Sequence, residues 1–465
     1  MNESSILSGS IVNIYSKEVQ MYKTKKRSSF KPNLECLEDR CCPTSFTWHP
    51  LSNTDWNDND NWGGVGQGYP HTASDTATFT NGSGYDVDCT VSASVTVGHF
   101  NIGGSYSKTI NFNDHLVTLE GSGALATSTW NTSSSNTVVN VSGGLKIQNG
   151  ALLEISAPLT VNNSSSWNIE VIGSANYESV LSLKGDFQNL NSSVEATGNS
   201  YSNLAKITVG AYNANKKVIT NNTITIYGYG YLDLYQNSNG DTRGGITGTA
   251  SIVVDDALGE IIRSGAGATL YNEATVSTQG LTEVSTNCGV RFYTFEQNTS
   301  SSALTKLKPG ATLAADSVTY YAGSLYTYNG NNPSVTCTID TLAFTWSSAG
   351  QLDVSYDYNT VYSTLAITGT ASFTAGDVYL DGNGLTNHTC SKIAVVGNVS
   401  ITGGNLNICM HGTPSATPVK FDYNWITSQG TLTGGFTNYY TTGNAPSSGW
   451  DWTIVSGDKL NSMVH

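Results

Sequence analysis

The sequence is poor in charge and in proline, and it has no long apolar run. Only 12% of its 465 residues are charged and only 10 are proline, whereas glycine numbers 48. Stretches rich in Ala, Leu, Glu and Lys, which favour helices, are scarce. No apolar run approaches the roughly 18 residues that a membrane-spanning helix needs, so we expect no transmembrane segment. These absences indicate a chain made of strands and turns.

Cysteines are also few. Of the eight, Cys36, Cys41 and Cys42 lie near the N-terminus, which leaves an odd number without any C-x-x-C pair. This pattern predicts neither a disulfide framework nor a metal cage. Cys390 and Cys409 lie about one repeat apart, so they either pair across stacked coils or act as isolated small hydrophobes.

Basic residues are concentrated in the first 40 positions. The rest of the chain carries 14 basic against 30 acidic residues, a net charge of −16. Such a charge repels phosphate backbones, and no basic patch interleaved with aromatics is present. We therefore expect no nucleic-acid partner. With 38% hydrophobic and 10% aromatic residues, the chain is nevertheless too apolar for a disordered segment and should fold.

A short motif follows the basic segment. Its residues are Leu34, Glu35, Leu37, Glu38, Asp39, Arg40 and Pro43. They resemble the L-E-x-L-E-D-R-x-x-P leader of planctomycete-type extracellular and surface proteins, and the resemblance implies a location outside the cell or on its surface. Residues 1–44 are then an export-type segment, largely disordered, and the mature chain starts near Thr44. Met21 opens a short basic run, so we expect residues 1–20 either to precede the true start at Met21 or to be a dispensable extension.

The next segment, residues 45–84, is rich in large aromatics. Trp48, Trp56 and the Asn61-Trp62-Gly63 run precede a D-x-A-x-F sequence ending at Phe79. The pattern resembles the opening of secreted β-helix and autotransporter passenger chains. Because the first coil of a solenoid has no neighbour on one side, it needs a cap of large side chains. We interpret the tryptophans as that cap rather than as a sugar-binding surface.

Residues 85–420 repeat short strands separated by Gly, Asn and Ser turns. Leu145-Lys146-Ile147, Asn149-Gly150 and Leu153-Glu154-Ile155 show the rhythm, which recurs at roughly 20 to 25 residues. This is the length of one coil in a parallel β-helix. The predicted fold is all-β, a right-handed parallel β-helix (solenoid) with an aromatic N-terminal cap. A tandem of β-sandwiches is the alternative, because short strands at regular spacing suit it too.

Residues 421–465 resemble the closing coils of autotransporter-type passengers. The resemblance rests on Trp425-Ile426, the Gly430-x-Leu432-x-Gly434 run and Phe436. We therefore expect these residues to end the solenoid body.

One acidic cluster is a candidate for Ca²⁺, the sole cofactor that the sequence suggests. Asp55, Asn57 and Asn59 offer oxygens at alternate positions, although the glycine and distal glutamate of an EF-hand are missing. The alternative is an Asx-rich turn that bonds its own backbone. The same two interpretations, a Ca²⁺ site or an Asx-rich turn, apply to Asp255-Asp256 and to Asp381-Gly382-Asn383-Gly384, which is predicted to be a turn. Asp255 and Asp256 point to opposite faces of a strand and form no acid/base pair.

Four tyrosines form a candidate carbohydrate-binding stripe. In the run from Thr223 to Tyr235, Ile224, Ile226, Leu232 and Leu234 share one parity, and Tyr227, Tyr229, Tyr231 and Tyr235 share the other. If the aliphatic face fills the core, the tyrosines lie exposed and can stack against sugar rings. Alternatively, they are ordinary strand residues, and Gly228 and Gly230 bend the chain.

No catalytic constellation is evident. The seven histidines are scattered, and neither a G-x-S-x-G elbow nor a P-loop occurs. The sequence thus favours a non-catalytic structural or adhesion-type protein whose partners are extracellular glycans or other surface proteins. A carbohydrate-active enzyme, a lyase or a glycoside hydrolase, is the alternative. Three or more charged side chains meeting in one groove would favour the enzyme, and evenly spread polar ladders would favour the scaffold.

Overall fold

The computed structural model describes most of the chain from Thr44 onward. The described residues are 44–51, 53–64, 68–81, 85–121, 126–133, 136–155, 160–162, 169–173, 177–184, 189–191, 194–198, 204–211, 217–219, 223–236, 245–247, 250–255, 259–265, 269–272, 274–298, 300–328, 335–354, 362–383, 390–411, 421–443, 450–455 and 459–464. All of them belong to one compact unit, Pro43–His465. The leader motif from Leu34 to Pro43 lies outside the described residues.

Strands account for most of the described residues and stack into parallel sheets that form a β-solenoid. The prediction of an all-β parallel β-solenoid is confirmed, and the tandem β-sandwich is wrong. Within the described residues, the one helical segment is a 3₁₀ turn, Asn59–Asn61. None of them forms a helix long and apolar enough to cross a membrane.

The solenoid has three faces, here called A, B and C, and from Thr76 onward the chain visits them in that order. Face A is a sheet of 17 strands. Its strands are Ser45–Trp48, Trp62–Gly64, Thr76–Thr80, His99–Gly104, Ala126–Thr132, Ala151–Ile155, Ser179–Lys184, Ala205–Ala211, Gly230–Gln236, Glu260–Gly265, Leu281–Val284, Leu304–Leu307, Ser324–Thr327, Gln351–Val354, Asp377–Asn383, Asn405–His411 and Asn438–Gly443. With neighbouring strands about 4.8 Å apart, face A measures roughly 75 Å from edge to edge.

Faces B and C follow the same stacking. Face B comprises Cys89–Thr90, Thr109–Asn111, Val138–Asn140, Thr160–Asn162, Asn189–Asn191, Lys217–Ile219, Gly245–Thr247, Thr269–Tyr271, Gly289–Arg291, Thr364–Ile367, Lys392–Val395 and Phe421–Ser428. Face C comprises Val95–Val97, Val117–Glu120, Leu145–Gln148, Ile169–Ile172, Val194–Gly198, Thr223–Gly228, Ser251–Val254, Thr275–Thr278, Thr294–Gln297, Thr370–Phe373, Val399–Ile401 and Leu432–Gly434. Two long strands, Thr312–Tyr320 and Thr336–Trp346, take part in both faces.

The alternation of side chains explains the strands. Along Leu145–Gln148 the buried and partly exposed residues alternate, and the parallel register places Leu145 opposite Ile169 in the next coil. Successive coils therefore stack aliphatic side chains into one continuous interior. Corners rely on glycine where the chain crowds its neighbour. At Gly434, φ is +79° and a Cβ would lie 1.8 Å from the carbonyl oxygen of Ile401.

Aromatic side chains fill the N-terminal end of this interior. Trp48 and Trp56 are fully buried, and the ring centroids of Trp56 lie 4.9 Å from Trp62 and 5.4 Å from Phe79. The indole nitrogens also find partners, since Trp56 Nε1 donates to the carbonyl oxygen of Pro70 at 3.0 Å. These tryptophans are core side chains, and their rings are inaccessible to a sugar.

Antiparallel strands border the parallel ladders at both ends. Trp62–Gly64 pairs antiparallel with Ser45–Trp48 at the first edge of face A. At the other end, Lys459–Val464 pairs antiparallel with Phe421–Ser428 and with Trp450–Val455. An exposed edge strand offers unpaired backbone groups to other chains, and these additions cover two such edges.

The five cysteines of the described region form no disulfide with one another. Cys89, Cys288 and Cys337 are buried, whereas Cys390 and Cys409 are half-buried. Cys409 faces outward from face A, and Cys390 lies near the carbonyl oxygen of Asn424. Cys390 and Cys409 are therefore unpaired thiols, which is the second of the two alternatives that the sequence left open.

Candidate functional site

The outer side of face A carries a line of alternating tyrosine and polar residues. The register places Tyr326 opposite Asp353, Asp353 opposite Tyr379, Tyr379 opposite Asn407, and Asn407 opposite Tyr440. These five residues, here called the tyrosine column, thus occupy five successive coils. Because tyrosine recurs on every second strand, the tyrosine positions repeat at about 9.6 Å. Tyr440 is 48% exposed, and Tyr326 and Tyr379 are partly exposed.

A ladder of polar side chains runs beside the column. Gln351, Asp377, Asn405 and Asn438 occupy successive coils. Asn405 Nδ2 donates to Asp377 Oδ1 at 2.7 Å, and Asn438 Nδ2 donates to Asn405 Oδ1 at 2.8 Å. The hydroxyl of Tyr326 donates to Gln351 Oε1 at 3.2 Å. The ladder therefore links the coils to one another and fixes the hydroxyl end of one column tyrosine.

Asp353 is the carboxyl group within the column. Burial, and to a lesser extent the neighbouring Asp381 carboxylate, raises the pKa of Asp353 to about 7. The amide nitrogen Nδ2 of Asn407, two coils further on, is buried and has no hydrogen-bond partner within the described part of the chain. A buried donor without an acceptor is costly in a folded protein, so this amide lacks the acceptor that would offset that cost.

A second group of titratable side chains flanks the column on the other side. His411 Nε2 lies 3.0 Å from Asp381 Oδ1, and the register places Asp381 opposite Cys409. Burial raises the pKa of Asp381, and the interaction with His411 partly opposes this shift. Asp381 was expected in a turn, but the structure places it in the strand Asp377–Asn383. Gly382 points inward instead, where a Cβ would lie 2.8 Å from the ring of Trp425.

The predicted tyrosine stripe does not exist as a single surface. The chain turns at Gly228, where φ is +50°, so Tyr227 lies near the end of a strand of face C whereas Tyr231 lies near the start of one of face A. Tyr229 lies at the corner between the two strands. Tyr235 belongs to the face A strand, but its side chain lies outside the described residues. The expectation of one continuous strand was wrong because glycine allowed a corner within it.

Tyr231 is held by its neighbours. Its hydroxyl donates to Glu178, and the ammonium group of Lys206 lies 5.0 Å from its ring centroid. Lys206 also contacts Asp233 at 3.1 Å. Burial and the bond to Glu178 raise the pKa of Tyr231. These contacts give Tyr231 a structural role on face A.

The predicted Ca²⁺ ligands Asp55 and Asn57 are occupied by protein donors. Asp55 Oδ1 accepts from Ser92 Oγ at 2.7 Å, and Asn57 Oδ1 accepts from the backbone nitrogens of Ser92 and Ala93, both at 3.0 Å. Asn59 is exposed at the start of the 3₁₀ turn, which Asp58 caps through the nitrogen of Asp60. The geometry is that of the alternative interpretation, an Asx-rich turn.

The other acidic positions are separate from the column. Asp255 is exposed beside face C and accepts from Gln279 Nε2 at 3.1 Å, whereas Asp256 lies outside the described residues. At the corner between faces B and C, a cavity of about 300 Å³ is lined by Asp340 and by an ion pair in which Arg291 and Asp316 meet at 2.6 Å. These groups lie on other parts of the solenoid and are not aligned with the tyrosine column on face A.

Sequence reasoning missed the column because its members come from five coils. Tyr326 and Tyr379 are 53 positions apart, and no local motif links them. In Leu325–Thr327 and Val378–Leu380, each tyrosine lies between two residues whose side chains are buried. Aligning the coils by this alternation would have placed the two tyrosines on the same outward-facing line. As for known proteins, neither the family models nor the curated sequences contain a match to this chain.

Proposed function

We propose that the protein is an extracellular or cell-surface β-solenoid that binds a neutral, extended polysaccharide along face A. The observation that carries the proposal is the tyrosine column. Tyrosine combines an apolar ring, which can stack on the C–H face of a sugar, with a hydroxyl that bonds sugar oxygens. Recurrence at about 9.6 Å suits a chain of sugar rings better than a single small molecule.

The polar members of the site support a ligand rich in hydroxyl groups. Asp353 and Asn407, whose amide nitrogen lacks a partner among the described residues, alternate with the tyrosines, and Asp377 lies in the adjoining ladder. Such groups supply the hydrogen bonds that orient a ligand on an apolar platform. The net charge of −14 and the carboxylates near the column disfavour polyanionic glycans. The extracellular location rests on the resemblance of the leader motif.

The test is retention of the full-length chain on immobilised neutral polysaccharides. Replacing both Tyr326 and Tyr379 by Ala removes two stacking rings of about 1 kcal/mol each, so affinity should fall roughly thirtyfold. Tyr293→Ala and Tyr321→Ala serve as controls, because those tyrosines are 58% and 55% exposed but stand outside the column. Equal retention of the double variant and the controls would refute the proposal.

A carbohydrate-cleaving enzyme is the second candidate. Two carboxyl groups, of Asp353 and Asp381, and the imidazole of His411 lie on three adjacent strands of face A. Paired carboxyl groups are the usual machinery of glycoside hydrolysis. The same retention assay, scored for released reducing ends, separates the two candidates. Cleavage that disappears in the Asp353→Asn variant would favour the enzyme, and retention without cleavage would favour the binding protein.

A further inference from the structure

Three side chains with different ligand atoms converge at one end of the outer side of face A. Asp381 lies on the strand Asp377–Asn383, opposite Cys409 on the strand Asn405–His411. His411 lies two residues after Cys409, so both point to the same side of the sheet. A carboxylate oxygen, the thiol sulfur and an imidazole nitrogen of these three residues all lie within 4.8 Å of one another.

We propose that Asp381, Cys409 and His411 form a binding site for a zinc-class divalent metal ion. The donor set of one nitrogen, one sulfur and one oxygen matches the side chains that Zn²⁺ uses, and three protein ligands leave a fourth position for water. Ca²⁺ and Mg²⁺ prefer sites made of oxygen, so the thiol argues against them. The site is thus distinct from the Ca²⁺ cluster expected at Asp55.

An ion pair alone does not account for the arrangement. Attraction between Asp381 and His411 explains their 3.0 Å contact but gives no reason for a half-buried thiol beside them. The thiol of Cys409 has a hydrogen-bond partner in the side chain of Thr442, as that of Cys390 has the carbonyl oxygen of Asn424 at 4.0 Å. Cys390 nevertheless provides the contrast, because it is also half-buried and belongs to no such cluster among the described residues. The three groups already lie close together, so coordination requires only small adjustments of side chains.

Binding would link two successive coils at one point. Asp381 comes from one coil and the other two ligands from the next, so the metal would add a cross-link between neighbouring strands of face A. Cys409 must lose its thiol proton to coordinate, and the proton passes to solvent. The proposal does not depend on polysaccharide binding, since the metal can be titrated in the absence of any glycan.

The test is titration of the full-length protein with Co²⁺, which reports its ligands by absorption. Because Cys36, Cys41 and Cys42 of the leader could also bind metal, all variants are made in a background in which these three are serine. After treatment with a chelator and its removal, this protein should bind one Co²⁺ with a thiolate charge-transfer band in the near ultraviolet and tetrahedral d–d bands. Added Zn²⁺ should displace the Co²⁺ and bleach both.

Two substitutions and one control make the result decisive. Cys409→Ser should lose the charge-transfer band. His411→Ala should lower Zn²⁺ affinity by at least about a hundredfold, because loss of a residue that only supports a ligand already lowers metal affinity by about ten- to a hundredfold. Cys390→Ser should bind like its parent. Circular dichroism verifies that each variant folds. A parent protein without the charge-transfer band, or a Cys409→Ser variant that retains it, would overturn the assignment.

Discussion

Asp353 stands between two tyrosines on the outer side of face A, in surroundings that disfavour its charge. Burial raises its pKa to about 7, and the carboxylate of Asp381 adds to the shift. A carboxyl group with a raised pKa binds its proton more tightly in the folded state than in the unfolded state. Its contribution to stability is therefore present at low pH and is lost as pH rises from about 4 to about 7.

The substitution Asp353→Asn tests this environment. The amide has nearly the same shape and no charge to bury, so at pH 8 the variant should be more stable than the wild type, by on the order of 4 kcal/mol. At pH 4 the two proteins should unfold at similar urea concentrations. The measurement is urea unfolding of both proteins at several pH values, with a chelator present throughout.

Glu154→Gln is a suitable control, because Glu154 also faces outward from face A but lies outside the tyrosine column. If the free energies of unfolding of wild type and Asp353→Asn changed in parallel across this pH range, the pKa of Asp353 would not be raised in the folded protein.

At the scale of elements, each coil combines three short strands whose apolar residues alternate. This rhythm is local, so it could be predicted from runs such as Leu145-Lys146-Ile147. Corners were harder to predict. The residues from Thr223 to Tyr235 keep a single parity of apolar positions through a turn, because Gly228 changes the direction of the chain without changing the alternation. The parity pattern alone therefore made two strands look like one.

The aromatic end of the solenoid offers a test at this scale. Trp56→Ala removes a fully buried ring that contacts Trp62, Phe79 and Phe100, which should cost about 3–5 kcal/mol. Because each coil contacts mainly its neighbours, the loss should be greatest in the first coils. Hydrogen exchange should show faster exchange in residues 44–80 and little change in residues 364–411.

Leu51→Ala, at a position that is 71% exposed, is the control for the cap. If Trp56→Ala accelerated exchange evenly along the whole chain, the coils would be unfolding as one cooperative unit, and the nearest-neighbour account of the cap would be wrong.

At the scale of the whole molecule, the solenoid brings distant residues into lines on its surface. The strands of face A that carry Asp353, Tyr379 and Asn407 begin at residues 351, 377 and 405. The intervals between coils differ, so a fixed period cannot align these residues in the sequence. The fold class could be predicted from composition and rhythm, whereas the tyrosine column and the cluster at Asp381 required the register of the strands.

The central claim is that a polysaccharide lies along the tyrosine column. Hydroxyl-radical footprinting of the full-length protein, with and without a saturating neutral oligosaccharide, measures this side chain by side chain. The account predicts that oxidation of Tyr326, Tyr379 and Tyr440 falls together when the sugar is present, while that of Tyr293 stays constant. Protection of Tyr293 with unchanged oxidation of the three column tyrosines would contradict it.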